Sequence, residues 1–171
     1  VATSLGYLFV YTPLKRRTKF NTLVGAVPGA LPALGGWAAA TGTLSAGGWA
    51  LFAILFLWQL PHFLSLAWMY REDYARAGFQ MLPVVEPDGR STALHALGAS
   101  LVLLIAGVLP FALGVAGLLY LVGMLALGVW FTLPAFAFFA EPTHHRARRL
   151  LLASIAYVPA FFGLVVLDVL L

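Results

Sequence analysis

Leu118-Leu-Tyr-Leu-Val-Gly-Met-Leu-Ala-Leu-Gly-Val-Trp-Phe-Thr-Leu-Pro-Ala-Phe-Ala-Phe-Phe-Ala140 runs for 23 residues without a charged side chain. A hydrocarbon core about 30 Å thick, climbed at about 1.5 Å per residue, needs about 20 such residues. The run lacks the period-2 alternation of a membrane strand and is too long to be one, so it predicts a spanning helix. Four more runs are mostly apolar over a comparable length: Thr22–Ala40, Trp49–Met69, Leu94–Leu113 and Leu150–Leu171. Val1–Tyr11 reads as the tail of a further helix. The expected fold is all-α, a polytopic transmembrane helix bundle of five complete spans plus the end of a sixth, within one integral-membrane domain over residues 1–171.

Composition points the same way. Of the 171 residues 62% are hydrophobic and 9% charged, with a mean hydropathy of +0.95, whereas a soluble domain carries about 25% charge. That excludes a water-soluble globular domain. The net charge of +4 comes from small basic clusters between apolar runs rather than one continuous stripe, which argues against a nucleic acid and for anionic lipid or a phosphorylated substrate. With no cysteine, disulfides, thiolate metal sites, thiol nucleophiles and C-x-x-C-H haem attachment are excluded. Val1 lies inside an apolar run with no secretory signal around it, so the chain reads as a piece of a longer protein.

Fifteen of the sixteen charged side chains fall on alternate connections. Lys15, Arg16, Arg17 and Lys19 occupy the first; Arg71, Glu72, Asp73, Arg76, Glu86, Asp88 and Arg90 the third; Glu141, Arg146, Arg148 and Arg149 the fifth. The second, around Thr41–Gly48, and the fourth, around Gly114–Gly117, carry none, and Asp168 is the exception. Odd and even loops are therefore expected on opposite faces, the charged face being cytoplasmic by the positive-inside rule. Gly25-x-x-x-Gly29, Gly35, Gly36 and Ala38–Ala40 offer small faces for close helix approach. Glu86-Pro-Asp-Gly89 reads as a turn.

Chemistry concentrates in Trp58-Gln-Leu-Pro-His-Phe63 and the following Tyr70-Arg-Glu-Asp-Tyr-Ala-Arg76. Gln59 and His62 sit within an apolar span, where polar side chains are costly and mark a functional site by default; the competing reading is a histidine that only hydrogen-bonds a neighbouring helix. If the helix runs on past Tyr70, Trp58, His62, Leu66, Met69, Asp73 and Arg76 share a stripe about 80° wide, with His62 about 16 Å deeper than Asp73. Glu72 and Asp73 suit Mg²⁺, which takes one or two carboxylates and completes its shell with water and phosphate oxygens. Arg71 and Arg76 beside them, and Lys15, Arg16 and Lys19 on the first loop, suit the phosphates themselves. A diphosphate head on an apolar tail would fit such an arrangement; a solvated loop contacting lipid headgroups is the plainer alternative.

The run Tyr11-Thr-Pro-Leu-Lys-Arg-Arg-Thr-Lys-Phe-Asn-Thr-Leu-Val-Gly-Ala-Val-Pro-Gly-Ala-Leu-Pro-Ala-Leu-Gly-Gly-Trp37 resembles the protoheme IX farnesyltransferases, or haem O synthases, of the UbiA-type membrane prenyltransferases. So does Trp58-Gln-Leu-Pro-His-Phe63 through Met81-Leu-Pro83. The resemblance implies a nine-helix bundle in the cytoplasmic membrane, with Val1–Tyr11 as the end of helix four and the complete spans as helices five to nine. It implies transfer of farnesyl from farnesyl diphosphate to a vinyl group of haem b. By motif, Lys15, Arg16 and Arg71 resemble diphosphate ligands and Asp73 the carboxylate of the second Asp-rich segment, reaching the head group through Mg²⁺. His62, with Trp58 and Gln59, would lie in the haem part of the cavity. Haem b is then a substrate rather than a cofactor, the lipid bilayer the surroundings, and a haem A synthase a further partner, fused or bound nearby.

Two departures qualify the resemblance. The family's first Asp-rich motif, on the loop between helices two and three, belongs to a part of the fold ahead of these residues, and Gln80 stands where the family usually has Pro before Met-Leu-Pro. The rival readings are a UbiA-type enzyme acting on a quinone or chlorophyll precursor and a non-enzymatic membrane subunit.

Overall fold

The computed structural model describes Phe9, Thr12–Leu14 and residues 18–171. Among the described residues there is no strand. After a single helical turn at Thr12–Leu14, the helices are α1 (Asn21–Thr41), α2 (Ala46–Met69), α3 (Arg71–Arg76), α4 (Leu82–Val85), α5 (Arg90–Ala106), α6 (Leu109–Ala112), α7 (Leu118–Ala140) and α8 (His144–Leu170). Five stretches are long and apolar enough to cross a membrane: α1, α2, Arg90–Ala112, α7 and α8. The chain is a multi-pass membrane protein. Apart from Phe9, the helix tail read at Val1–Tyr11 lies outside the described residues.

Helix α2 is the hub, packing on α1, α5 and α8, while α7 closes a four-helix ring by packing on α5 and α8. Inside the ring lie Leu64 and Trp68 of α2, Leu103 of α5, Phe131 and Phe138 of α7, and Tyr157 and Phe161 of α8. The Phe131 and Tyr157 rings meet at 5.0 Å and Trp68 stands edge-on to Phe138 at 6.1 Å. Lipid tails are as apolar as these side chains, so contact density rather than escape from water holds the helices together. Small residues provide it: a Cβ on Gly128 would strike Leu104, and one on Gly123 would strike Leu164. Ile105, Val122 and Leu133, all more than half exposed, face outward.

Helix ends follow local chemistry. Gly42, at φ +74°, closes α1 by donating its N–H to the Ala38 carbonyl, a left-handed cap that glycine adopts without a Cβ clash. Gly89, also at φ +74°, ends the Glu86–Gly89 turn with Trp68 and Pro142 filling the space a Cβ would need. Helix α8 begins at His144, earlier than the Leu150 read from hydropathy, because Thr143 caps it by accepting the Arg146 N–H. Arg146, Arg148 and Arg149 therefore lie in the first two turns of a helix rather than in a loop. The span read at Leu94–Leu113 is interrupted between Ala106 and Leu109, where Tyr120 Oη donates to the Gly107 carbonyl at 3.0 Å.

Helix α2 does not run on past Tyr70, whose backbone (φ −108°, ψ 22°) separates it from α3. The stripe joining His62 to Asp73 and Arg76 therefore ends at Met69, and the 16 Å spacing along one straight face does not apply.

Candidate functional site at the charged end of the bundle

The first and third connections, which hold most of the charge, are stitched together. Asn21, fully buried at the start of α1, donates its side-chain amide to the carbonyls of Thr18 at 2.8 Å and Gln80 at 3.0 Å. One side chain thus fixes both loops, and it uses the backbone of Gln80 rather than its side chain. Nearby, Lys19 pairs with Glu86 at 2.5 Å. The bond from Lys19, with a second from Ser91, holds the Glu86 carboxyl below the usual carboxylate range. Beside this pair lies a pocket of about 240 Å³ with Leu23, Leu60, Leu64 and Leu82 in its wall and Lys19, Thr22, Ser91 and His95 as its polar members.

Lys19 engages Glu86 through one of its three ammonium donors, while Asp73 pairs with Arg76 one turn along α3. Asp73 and Glu72 are exposed. Arg71 folds back onto the end of α2, donating to the Trp68 carbonyl at 3.0 Å with its guanidinium carbon 4.5 Å from the Trp68 ring centre. That contact orients Arg71 while leaving most of its five donors uncommitted. Lys15 and Arg16 lie outside the described residues. Among the described residues no three His, Cys, Asp or Glu side chains converge on one point.

Deeper in α2 the three residues singled out from sequence separate into two groups. Trp58 donates its indole N–H to the Ser154 carbonyl at 2.8 Å, and His62 Nδ1 lies 2.8 Å from Ser154 Oγ. Their rings stack at 5.3 Å, so both side chains are anchored on one residue of α8. Gln59 faces α1 instead, donating to the carbonyls of Leu55 at 3.1 Å and Ala26 at 3.5 Å, with its amide against Gly29. Geometry thus brings Trp58 and His62 together and does not bring Gln59 to them. A larger hollow, about 590 Å³, opens between α7 and α8, and none of the sequence-derived site residues line it.

Residues 1–164 match the UbiA prenyltransferase family. The chain belongs to that family. Proteins named protoheme IX farnesyltransferase are 59% identical in Salinibacter ruber over 95% of this chain and 54% identical in Solibacter usitatus over 97% of it. A third with that name, from Koribacter versatilis, is 48% identical over 97% of this chain. The chain spans 57% of the length of the first two and 56% of the third. No solved structure matches it.

Within this UbiA prenyltransferase chain, three structurally decisive residues escaped the sequence reading. Asn21 lies inside the Tyr11–Trp37 run, and its signal was a carboxamide at the start of an apolar helix. Ser154 carried no signal, since serine is common in transmembrane helices and only its distant partners make it distinctive. Glu86 reads as part of a turn, and its partner Lys19 lies 67 positions away.

Proposed function

We propose that this UbiA prenyltransferase chain belongs to a protoheme IX farnesyltransferase, supplying the part that corresponds to the end of helix four and helices five to nine. The observation carrying this reading is the 59% identity, across 95% of the chain, to a protein bearing that name. In the reaction the allylic C–O bond of farnesyl diphosphate breaks, a carbon–carbon bond forms to a vinyl carbon of haem b, and water adds its oxygen to the other vinyl carbon. Diphosphate and a proton leave, and the product is haem O.

The charged end of the bundle would receive the diphosphate. Arg71, pre-oriented on Trp68, and Arg76, with Lys15, Arg16 and Lys19 of the first loop, would offer donors as negative charge builds on the departing oxygens. The exposed pair Glu72 and Asp73 is too small for an all-protein cage but fits Mg²⁺, which keeps water and phosphate oxygens in its shell. Asp73, with Glu72 beside it, would hold that ion, and the ion would supply neutralising charge to the leaving group. Asp73 must exchange Arg76 for it, which an exposed pair permits at little cost. The leucine-walled pocket would shield the apolar tail and keep water from the allylic centre.

His62 and Trp58 would contact haem, and Gln59 would act at one remove by seating α1 on α2. The charged face would lie on the cytoplasmic side of the cytoplasmic membrane, where the positive-inside rule puts ten Lys and Arg. A farnesylated haem stays in the bilayer, so its consumer, a haem A synthase, would be a membrane neighbour.

Membranes containing the protein, given haem b, farnesyl diphosphate and Mg²⁺, should form haem O. Asp73→Asn should cut turnover by orders of magnitude while haem still binds, and His62→Ala should weaken haem binding while leaving Mg²⁺-dependent binding of farnesyl diphosphate intact. Prenylation of an added quinone precursor in place of haem overturns the assignment.

A further inference from the structure

The hydroxyl of Ser154 has one proton, and its position is fixed by an acceptor that cannot donate. Ser154 Oγ lies 2.6 Å from the Leu151 carbonyl oxygen, three residues back along α8. A carbonyl oxygen has only lone pairs, so a contact this short requires the serine proton between the two atoms. Oγ then has only lone pairs to offer His62. The 2.8 Å contact from His62 Nδ1 to Oγ can be a hydrogen bond only if Nδ1 carries the proton and donates. In a neutral imidazole that leaves Nε2 bare, with its lone pair in the ring plane. No bond to Nε2 occurs among the described residues, and Nε2 is not one of the enclosed polar atoms without a partner, which are Trp68 Nε1 and Thr92 Oγ1.

We infer that Ser154 is a positioning residue that locks His62 in its Nδ1–H tautomer and so presents Nε2 as a lone-pair donor for a Lewis-acidic centre such as haem iron. The identity of that centre rests on the haem reading above; the tautomer does not. Several contacts reinforce the arrangement. Trp58 holds the same turn of α8 through the Ser154 carbonyl and stacks on the imidazole, Phe63 meets it edge-on at 5.2 Å, and Ser65 Oγ donates to the His62 carbonyl at 2.9 Å. Ser154 itself is fully buried, so no water competes for its hydroxyl. Histidines that bind metal through one nitrogen generally have the other hydrogen-bonded, because that second bond selects tautomer and ring orientation.

Ring-nitrogen NMR on the ¹⁵N-histidine-labelled protein tests this directly. At a pH well above the ordinary histidine value of about 6.5, His62 should show a protonated Nδ1 and a bare Nε2, with its signals assigned by their loss in His62→Ala. In Ser154→Ala the Nδ1–H form should cease to dominate, and Ser154→Thr, which keeps the hydroxyl, should restore it. Haem binding to Ser154→Ala should weaken about tenfold or more, the effect typical of losing the second partner of a metal-binding histidine. An Nε2–H tautomer in the unaltered protein overturns the inference without any variant having to fold, as does a tautomer that Ser154→Ala leaves unchanged. If the Nδ1–H tautomer is present but His62→Ala leaves haem binding and spectrum untouched, the haem reading fails and the role of Ser154 stands.

Discussion

Asp168, near the end of α8, accepts two backbone N–H groups from the start of α7: Gly117 at 2.6 Å on Oδ2 and Tyr120 at 3.0 Å on Oδ1. This is an N-cap supplied from 51 positions away, and it accounts for the only Asp, Glu, Lys or Arg that lies apart from the charged connections. An α-helix begins with N–H groups that have no partner and with the positive end of its dipole, so a carboxylate there answers both needs.

Asp168→Ala should therefore destabilise the bundle by about 1–2 kcal/mol, the cost of losing a good N-cap. Asp168→Asn should lose less, since its carbonyl oxygen still accepts while the charge is gone. Thermal unfolding in detergent should rank the three proteins Asp, Asn, Ala in falling order. Equal melting of Asp168→Ala and the unaltered protein would show that the cap contributes nothing.

A pH-dependent opening of the loop pair follows from Lys19 and Glu86. The Glu86 carboxyl is held below its ordinary value chiefly by the hydrogen bond from Lys19, then by that from Ser91. A depressed carboxyl favours the folded arrangement at pH above its unfolded value of about 4.3 and loses that contribution as pH falls through the lower folded value. Protection of the amides around Leu82–Val85, taken relative to the intrinsic exchange rate at each pH, should be greatest at neutral pH and fall modestly on acidification. In Glu86→Gln that protection should be lower at neutral pH and vary little with pH. Identical profiles in the two proteins would remove the Lys19–Glu86 contact from any role in holding the loops.

Gly29 and Gln59 should be energetically coupled. A Cβ on Gly29 would fall 2.1 Å from Gln59 Oε1, so Gly29→Ala must drive the amide from its place against α1. Overpacking of this kind costs about 1–3 kcal/mol. Gln59→Ala removes the obstacle, so adding Gly29→Ala to it should cost far less than adding it to the unaltered protein. Strict additivity in the double variant would place Gln59 elsewhere.

The bundle was legible because apolar length is a local property: a helix must satisfy its own backbone in lipid, and about 20 apolar residues suffice to declare it. The span ends that moved did so for reasons that hydropathy does not register. Thr143 starts α8 ahead of its apolar stretch, and the backbone of Tyr70 turns the chain away from the face that His62 occupies. The split of Trp58 and His62 from Gln59 was partly legible, since neighbouring positions on a helix lie about 100° apart. Which helix each would meet was not, because the partners, Ser154 and Gly29, lie on other helices. The UbiA resemblance came from whole motifs, whereas the contacts that set the geometry, Asn21 to Gln80 and Asp168 to Gly117, join residues dozens of positions apart.

The sidedness of the membrane arrangement can be read with cysteines, since the chain has none of its own. Thr43 lies between α1 and α2, and Val115 lies between α6 and α7; both are exposed, in connections without Lys, Arg, Asp or Glu. Asp88 and His145 are exposed at the opposite, charged ends. Val115 is preferred to Gly117, where a Cβ would come within 3.0 Å of Asp168 Oδ1 and spoil the cap. In sealed inverted vesicles, a membrane-impermeant thiol reagent should label Asp88→Cys and His145→Cys, and should reach Thr43→Cys and Val115→Cys only after the membrane is opened. On the proposed orientation, Arg90, Arg146, Arg148 and Arg149 at the ends of α5 and α8 would hold it by resisting translocation. Labelling of Thr43→Cys and Asp88→Cys from the same side would mean that α2 does not cross the bilayer. The reversed pattern throughout would place the proposed diphosphate-binding end outside the cytoplasm.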